Sequence, residues 1–251
     1  MADKIIKDIK SRKNKWRSET ERLILYADIM GFKNRVLSKN QKSLKQELLK
    51  YNKDLRDKIY SFADNNILKF VQFSDSILIV VNGVDDEMFE LLTKCALCLM
   101  QTSLEHHFPI KGAIAQGQFS YMDKEQLYFG KPLVDAVALH DCIKYYGIVV
   151  HHSAEHLVKT KCNATNPYSN TQIPIEKGFT SHFHLCWNLV DNYFVSTDNT
   201  DLCEKWLDTI SEQVSGEPRL YIDKTINVLH NDQKYFKDHY HGKYSEDVES
   251  K

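Results

Sequence analysis

The chain of 251 residues has no apolar run near the about 20 residues that a membrane-spanning helix requires. It has no surplus of one charge either: 33 Lys and Arg stand against 34 Asp and Glu, a formal net charge of −1. That balance argues against a protein that coats nucleic acid through its overall charge, so neither nucleic acid nor membrane is expected as a direct partner. The first residues lack the apolar stretch of a signal peptide, and a cytoplasmic location is expected. Cys95 and Cys98 form one C-x-x-C, but no second such pair stands at a zinc-binding spacing. Both lie inside the apolar stretch ELLTKCALCLMQ, where they are expected to pack, reduced, as small hydrophobes. No internal repeat and no long linker interrupts the chain.

What is present is an ordinary globular composition, 42% hydrophobic and 11% aromatic, enough to bury a sizeable core. Residues Leu23 to Ile29 read as a buried strand that ends in a turn at Gly31. From there to about Asn65, Leu44, Leu48, Tyr51, Leu55, Ile59 and Phe62 recur at helical spacing, which predicts one long helix. Ile67 to Phe73 and Ser76 to Val81 read as a hairpin closed by Ser74-Asp75, and Asp85-Asp86 opens the next helix. A strand in IKGAIAQGQFS, a short extended QLYFG, a helix from Lys131 to Tyr146 and a strand in GIVVHHS follow. A last hairpin turns at Lys177-Gly178 within Ile173 to Trp187, and two more helices come after it. This order predicts an α+β sandwich, a central, mostly antiparallel sheet with helices on one face.

Two strands carry a charge where core is expected: Asp28 in RLILYADIMGF and Asp75 in LKFVQFSDSILIVV. A buried carboxylate without a partner is costly, and neither aspartate has a Lys or Arg close by in sequence. With the first strand central and the hairpin beside it, the two carboxylates would converge at one edge of the sheet. Two divalent cations about 4 Å apart would satisfy both and suit phosphate chemistry. The main-chain carbonyl of Ile29 is placed to be a further metal ligand. The backbone amides of Ile29, Met30, Gly31 and Phe32 are expected to point outward at a helix start, where phosphate oxygens bind. Taken singly, an Asp at the position of Asp28 is most often a helix cap and one at the position of Asp75 a turn residue. His151, His152, His156, His182 and His184 form no H-E-x-x-H pattern and read as polar surface near a hairpin.

Four segments in order, LYADIMGF, FSDSILIVV, FPIKGAIAQG and YFGKPLVDAVAL, resemble the catalytic domain of class III nucleotidyl cyclases. The resemblance implies that fold over residues 21–190, preceded by a basic segment at 1–20. A helical extension at 191–240 and a polar tail at 241–251 would follow. It implies that Asp28 and Asp75, with the Ile29 carbonyl, bind two Mn²⁺ or Mg²⁺ ions. One ion activates the ribose 3′-hydroxyl against the α-phosphate, the other holds the triphosphate, and pyrophosphate leaves. It also implies a homodimer with its sites at the subunit interface. Lys177 in IEKGF resembles the lysine that the family brings to the triphosphate, whereas Lys111 reads as structural.

The departures concern the base and the ribose. Val71 and Leu127 stand where the family places purine-reading side chains, and Val134 and Ala138 where it places an Asn and an Arg. The chain is most similar to the pyrimidine cyclases of bacterial Pycsar anti-phage systems. That resemblance implies UTP as substrate, with CTP as the alternative, and cyclic UMP as a messenger for a separate effector. A non-catalytic nucleotide-binding module and an adenylyl cyclase with displaced base-reading residues are the other readings.

Overall fold

The computed structural model describes residues 16–160, 167–189, 199–212 and 214–240. Most of the basic segment, the boundary expected at 190–191 and the polar tail lie outside the described residues. Strand β1 (Glu19–Ile29) leads into helices α1 (Phe32–Ser38) and α2 (Gln41–Phe62), then the hairpin β2 (Leu68–Phe73) and β3 (Ser76–Val81). Helix α3 (Asp86–Glu105), strands β4 (Ile110–Met122) and β5 (Leu127–Gly130), helix α4 (Lys131–Cys142) and strand β6 (Ile148–Val150) come next. After α5 (Glu155–Thr160) the chain forms β7 (Tyr168–Ser169), β8 (Gln172–Ile175), β9 (Gly178–Ser181) and β10 (His184–Leu185). Helices α6 (Thr200–Ser211) and α7 (Glu217–Tyr240) complete the described fold.

β1 is buried on both faces because both are covered. Leu23, Leu25, Ala27 and Ile29 join a core with Tyr51, Leu55 and Ile59 of α2 and with the apolar residues of α3. Ile24 belongs to a second core with Leu78, Val80, Ala113, Ala115 and Ala136. Helices α2, α3 and α6 therefore lie on one face, as the pattern predicts, while α4 covers the other through Ala136. The physical reason is that Ile24, Leu78 and Val80 also need removal from water.

The main sheet runs in the order β2-β3-β1-β4-β6-β10-β7, with β5 paired to β4. β1 is central and antiparallel to both β3 and β4, whereas β4 and β6 are parallel, so the sheet is mixed. β8 and β9 form a separate two-stranded sheet, and β10, expected as part of that hairpin, joins the main sheet instead.

Two local features differ from the sequence pattern or sharpen it. The long helix predicted after Gly31 breaks at Lys39-Asn40, where the Asn40 side chain accepts from the Lys42 amide at 2.9 Å and caps α2. In the hairpin, Phe73 pairs with Ser76, leaving Ser74-Asp75 as a two-residue loop with Ser74 at φ 57°. Asp85 is the N-cap of α3, accepting from the Met88 amide at 3.1 Å, and Cys95 and Cys98 are buried free thiols there. Among the described residues no helix is long and apolar enough to cross a membrane.

Candidate active site

Strand register places the first aspartate. Asp28 of β1 lies opposite Ser76 of β3 and opposite Lys111 of β4. Directly opposed residues share a face, so Ser76, Asp28 and Lys111 form one row across three strands. Asp28 Oδ1 accepts from the Tyr26 hydroxyl at 2.9 Å and from Ser76 Oγ at 2.7 Å. Its Oδ2 lies 3.7 Å from His140 Nε2, and the side chain remains 24% exposed. The cost of the charge is thus partly met by two hydroxyl donors.

Asp75 is brought to the same place by the backbone. Its carbonyl accepts from the Ile29 amide at 3.0 Å, fastening the hairpin loop to the end of β1 beside Asp28. The backbone also engages two of the amides expected to point outward. Of Ile29, Met30, Gly31 and Phe32, the first donates to Asp75 and the second to the Pro109 carbonyl at 2.7 Å. Both are consumed in closing neighbouring strands onto β1. Gly31, at φ 73°, turns the chain into α1 without a side-chain cap.

Three further groups shape the electrostatics. Lys111 is buried, donates to the Ile143 carbonyl at 3.4 Å, and has its pKa lowered by burial and by Lys144. His140 of α4 is buried edge-on to Tyr26, with ring centres 5.4 Å apart, and its Nε2 makes no hydrogen bond among the described residues. Burial and the Lys111 charge lower its pKa from 6.5, so the ring is neutral at neutral pH. Burial raises the Tyr26 phenol to about 12 despite its contact with Ser76, which keeps it a donor to Asp28.

Lys177 is exposed at the turn of the β8–β9 hairpin. That hairpin docks on the end of α4: Ile175 bridges Ile143, and Glu176 donates to the Cys142 carbonyl at 2.9 Å. Since Ile143 also receives Lys111, Lys177 stands beyond these residues at the same end of the sheet. Val71 is half-buried against the second core, and Leu127, Val134 and Ala138 are exposed. A cavity of about 730 Å³ opens beneath the Met30-Gly31 turn, lined by Arg35, Phe108, Tyr146 and Tyr221. Neither aspartate lines it.

Solved nucleotidyl cyclases resemble this fold. The catalytic core of a rhodopsin-guanylyl cyclase with converted specificity, in complex with ATPαS, shares 13% identity. It aligns over 67% of this chain and 98% of its own, with a TM-score of 0.44. A bacterial light-regulated adenylyl cyclase shares 10% identity over 77% of this chain and 100% of its own, TM-score 0.49. The guanylyl cyclase domain of a rhodopsin fusion protein from the aquatic fungus Blastocladiella emersonii shares 13% over 68% and 98%, TM-score 0.42. No protein-family model matches the chain, and no curated protein matches it in sequence.

Tyr26, Ser76 and His140 escaped sequence reasoning. Tyr26 had a signal, since it stands two residues before Asp28 and so shares its strand face. Ser76 follows from register alone, and His140 carries no sequence signal. Among the histidines read as surface, His184 is a correction: it is fully buried and bound to Asp232 at 2.9 Å.

Proposed function

We propose that the chain is a divalent-metal-dependent nucleotide cyclase converting UTP to 3′,5′-cyclic UMP and pyrophosphate, with CTP as the alternative substrate. The observation that carries this is the fixing of Asp28 and Asp75 at one end of neighbouring strands. Pairing of Asp28 with Ser76 does half of it and the Ile29–Asp75 backbone bond the other half. The donor set fits the ions: two carboxylates and the Ile29 carbonyl are hard oxygen donors, as Mg²⁺ and Mn²⁺ prefer. Asp28 also keeps Oδ2 clear of its two hydroxyl donors. The chemistry that two such ions supply is activation of the 3′-hydroxyl and neutralisation of the triphosphate.

The chain's own residues do the rest in this reading. Tyr26 and Ser76 hold the Asp28 carboxylate in one orientation, and Lys111 and Lys177 add positive charge at the triphosphate end. Apolar Val71 and Leu127 offer no hydrogen bond to a purine edge, whereas a pyrimidine needs only one or two side chains for recognition. Leu127, Phe129 and Val134 are exposed together along β5 and the start of α4, a face suited to a second copy in a homodimer. A messenger role in anti-phage defence, acting through a separate effector, rests on the sequence resemblance.

A second reading, a nucleotide-binding module without turnover, is favoured by Val134 and Ala138 standing where an Asn and an Arg are expected. One experiment separates them. The protein is incubated with ATP, GTP, CTP or UTP and Mn²⁺, products are resolved by chromatography with mass detection, and Asp75→Ala serves as control. Cyclic UMP absent from the control is the expected result, and cyclic CMP would establish the alternative substrate. A cyclic purine product would overturn the pyrimidine assignment. Thermal stabilisation by nucleotide with no product would establish the binding module.

A further inference from the structure

Away from the carboxylate pair, three metal-ligating side chains meet inside the protein. His184 and Cys186 face Asp232 of α7, with ligand atoms all within 4.8 Å of one another. Their exposures are 0%, 0% and 1%. Ser169 Oγ and Thr171 Oγ1 donate to Asp232 Oδ1 at 2.7 and 2.9 Å.

The histidine tautomer makes this arrangement informative. His184 Nδ1 lies 2.9 Å from the His182 carbonyl, an acceptor only, so Nδ1 carries a hydrogen and donates it. In a neutral ring Nε2 is then a bare lone pair. That atom faces Asp232 Oδ1 at 2.9 Å and Oδ2 at 3.1 Å, with Ser169 Oγ at 3.0 Å. A lone pair set against a carboxylate is repulsive, so a cation must lie between them, either a proton or a metal ion.

Cys186 distinguishes the two. A proton joins only His184 and Asp232 and leaves Cys186 a thiol, which donates to the His184 carbonyl at 4.0 Å. A divalent ion employs all three groups. A thiolate, a carboxylate and a neutral imidazole sum to two negative charges, which one divalent cation cancels inside a fully buried centre. A ring N–H given to a backbone carbonyl is also how metal-bound histidines are oriented.

We propose that His184 Nε2, Cys186 Sγ and Asp232 hold a structural Zn²⁺, with the hydroxyl of Ser169 or Thr171 as fourth ligand. Mixed nitrogen, sulfur and oxygen donors select zinc over the hard ions suited to the aspartate pair. Around an ion at normal zinc distances, His184 and Asp232 separate by only about 0.4 Å from their present contact. The ion would pin α7 to β7 and β10, since Asp232, Ser169 and His184 come one from each. The site is independent of the proposed cyclase chemistry. His184, Val149, Ala113 and Tyr26 stand in line across the sheet, placing it three strands from β1, about 14 Å away at ~4.8 Å per strand.

The test uses the full chain. After dialysis against EDTA, elemental analysis is expected to find about one zinc per chain. Exchange with Co²⁺ is expected to give a near-ultraviolet thiolate-to-cobalt band with intense tetrahedral visible bands. Cys186→Ser should abolish the thiolate band, while the double variant Asp28→Ala, Asp75→Ala keeps it. Removing the ion with a stronger chelator should lower Tm by about 5–10 °C. A folded wild-type chain with neither zinc nor a cobalt–thiolate band would overturn the proposal and leave a protonated His184 paired with Asp232. Zinc that vanishes in the double aspartate variant, with no thiolate band in the wild type, would overturn it equally.

Discussion

Tyr26 donates its phenolic hydrogen to Asp28 at 2.9 Å from two positions earlier on the same strand face. The carboxylate is thereby oriented by its own strand, and Ser76 of the neighbouring strand completes the hold. Orientation of this kind is cheap to test, because the donor can be removed without disturbing the ring.

Tyr26→Phe keeps the edge contact with His140 and leaves Asp28 with Ser76 as its one hydroxyl donor. Loss of a hydrogen bond to a charged group is worth roughly 1.5 kcal/mol, about tenfold in rate. Under the proposed activity, kcat should fall about tenfold with KM nearly unchanged. Steady-state kinetics on UTP with Mn²⁺ decide it, and a rise in KM alone would count against an orienting role.

Gly112 lies where β4 passes β1 beside the site. A Cβ there would stand 2.6 Å from the Tyr26 carbonyl and 2.8 Å from Ala27 Cβ, groups that cannot swing away. Gly112→Ala should destabilise the fold by about 1–3 kcal/mol or more, measured by urea unfolding. Gly117→Ala, whose Cβ would meet Pro132 Cδ at 3.1 Å, should cost clearly less.

Acid stability should report on His140. Burial and Lys111 lower its folded pKa below 6.5, so the folded state favours the neutral ring. The unfolded chain takes up a proton near pH 6.5, so this contribution is complete above that pH and is lost as pH falls through the folded pKa. His140→Gln should therefore lose less stability than wild type as pH falls below about 6.5. Urea midpoints across that range measure the difference, and parallel curves would remove His140 from the account.

Leu127, Phe129 and Val134 expose 48%, 49% and 69% of their surfaces, and the proposed homodimer would cover them. The double change Phe129→Asp, Val134→Asp should leave circular dichroism intact. Sedimentation should then show a monomer, with turnover lost. A variant that sediments as a dimer would place the interface elsewhere.

Much of the architecture was legible because it is periodic. Leu44, Tyr51, Leu55 and Ile59 define the buried stripe of α2 in sequence as they do in space. The apolar run Leu23 to Ala27 foretold a buried strand, whereas the helix over its second face was not foreseen. What escaped depends on relations between distant segments. Asn40 looks like one more polar residue on a helix surface until its side chain caps α2. β7 and β10 span two residues each, too few to show any period. His184 stands between Phe183 and Leu185 in sequence, but only its meeting with Asp232 reveals what its buried ring binds. The strand positions of Asp28 and Asp75 could be read from the sequence, whereas Ser76 and His140 needed the register of β3 and the face chosen by α4.

The pairing of Asp28 with Ser76 on one side and Lys111 on the other carries a consequence for folding. A slip of β1 by one residue would turn the carboxylate into the apolar core of Leu25 and Ala27 and away from Tyr26, Ser76 and His140. A misaligned chain could be compact and still inert. Under the proposed activity, recovery of turnover after dilution from denaturant would then time the locking of strand alignment, a later event than collapse and one that fluorescence alone would miss.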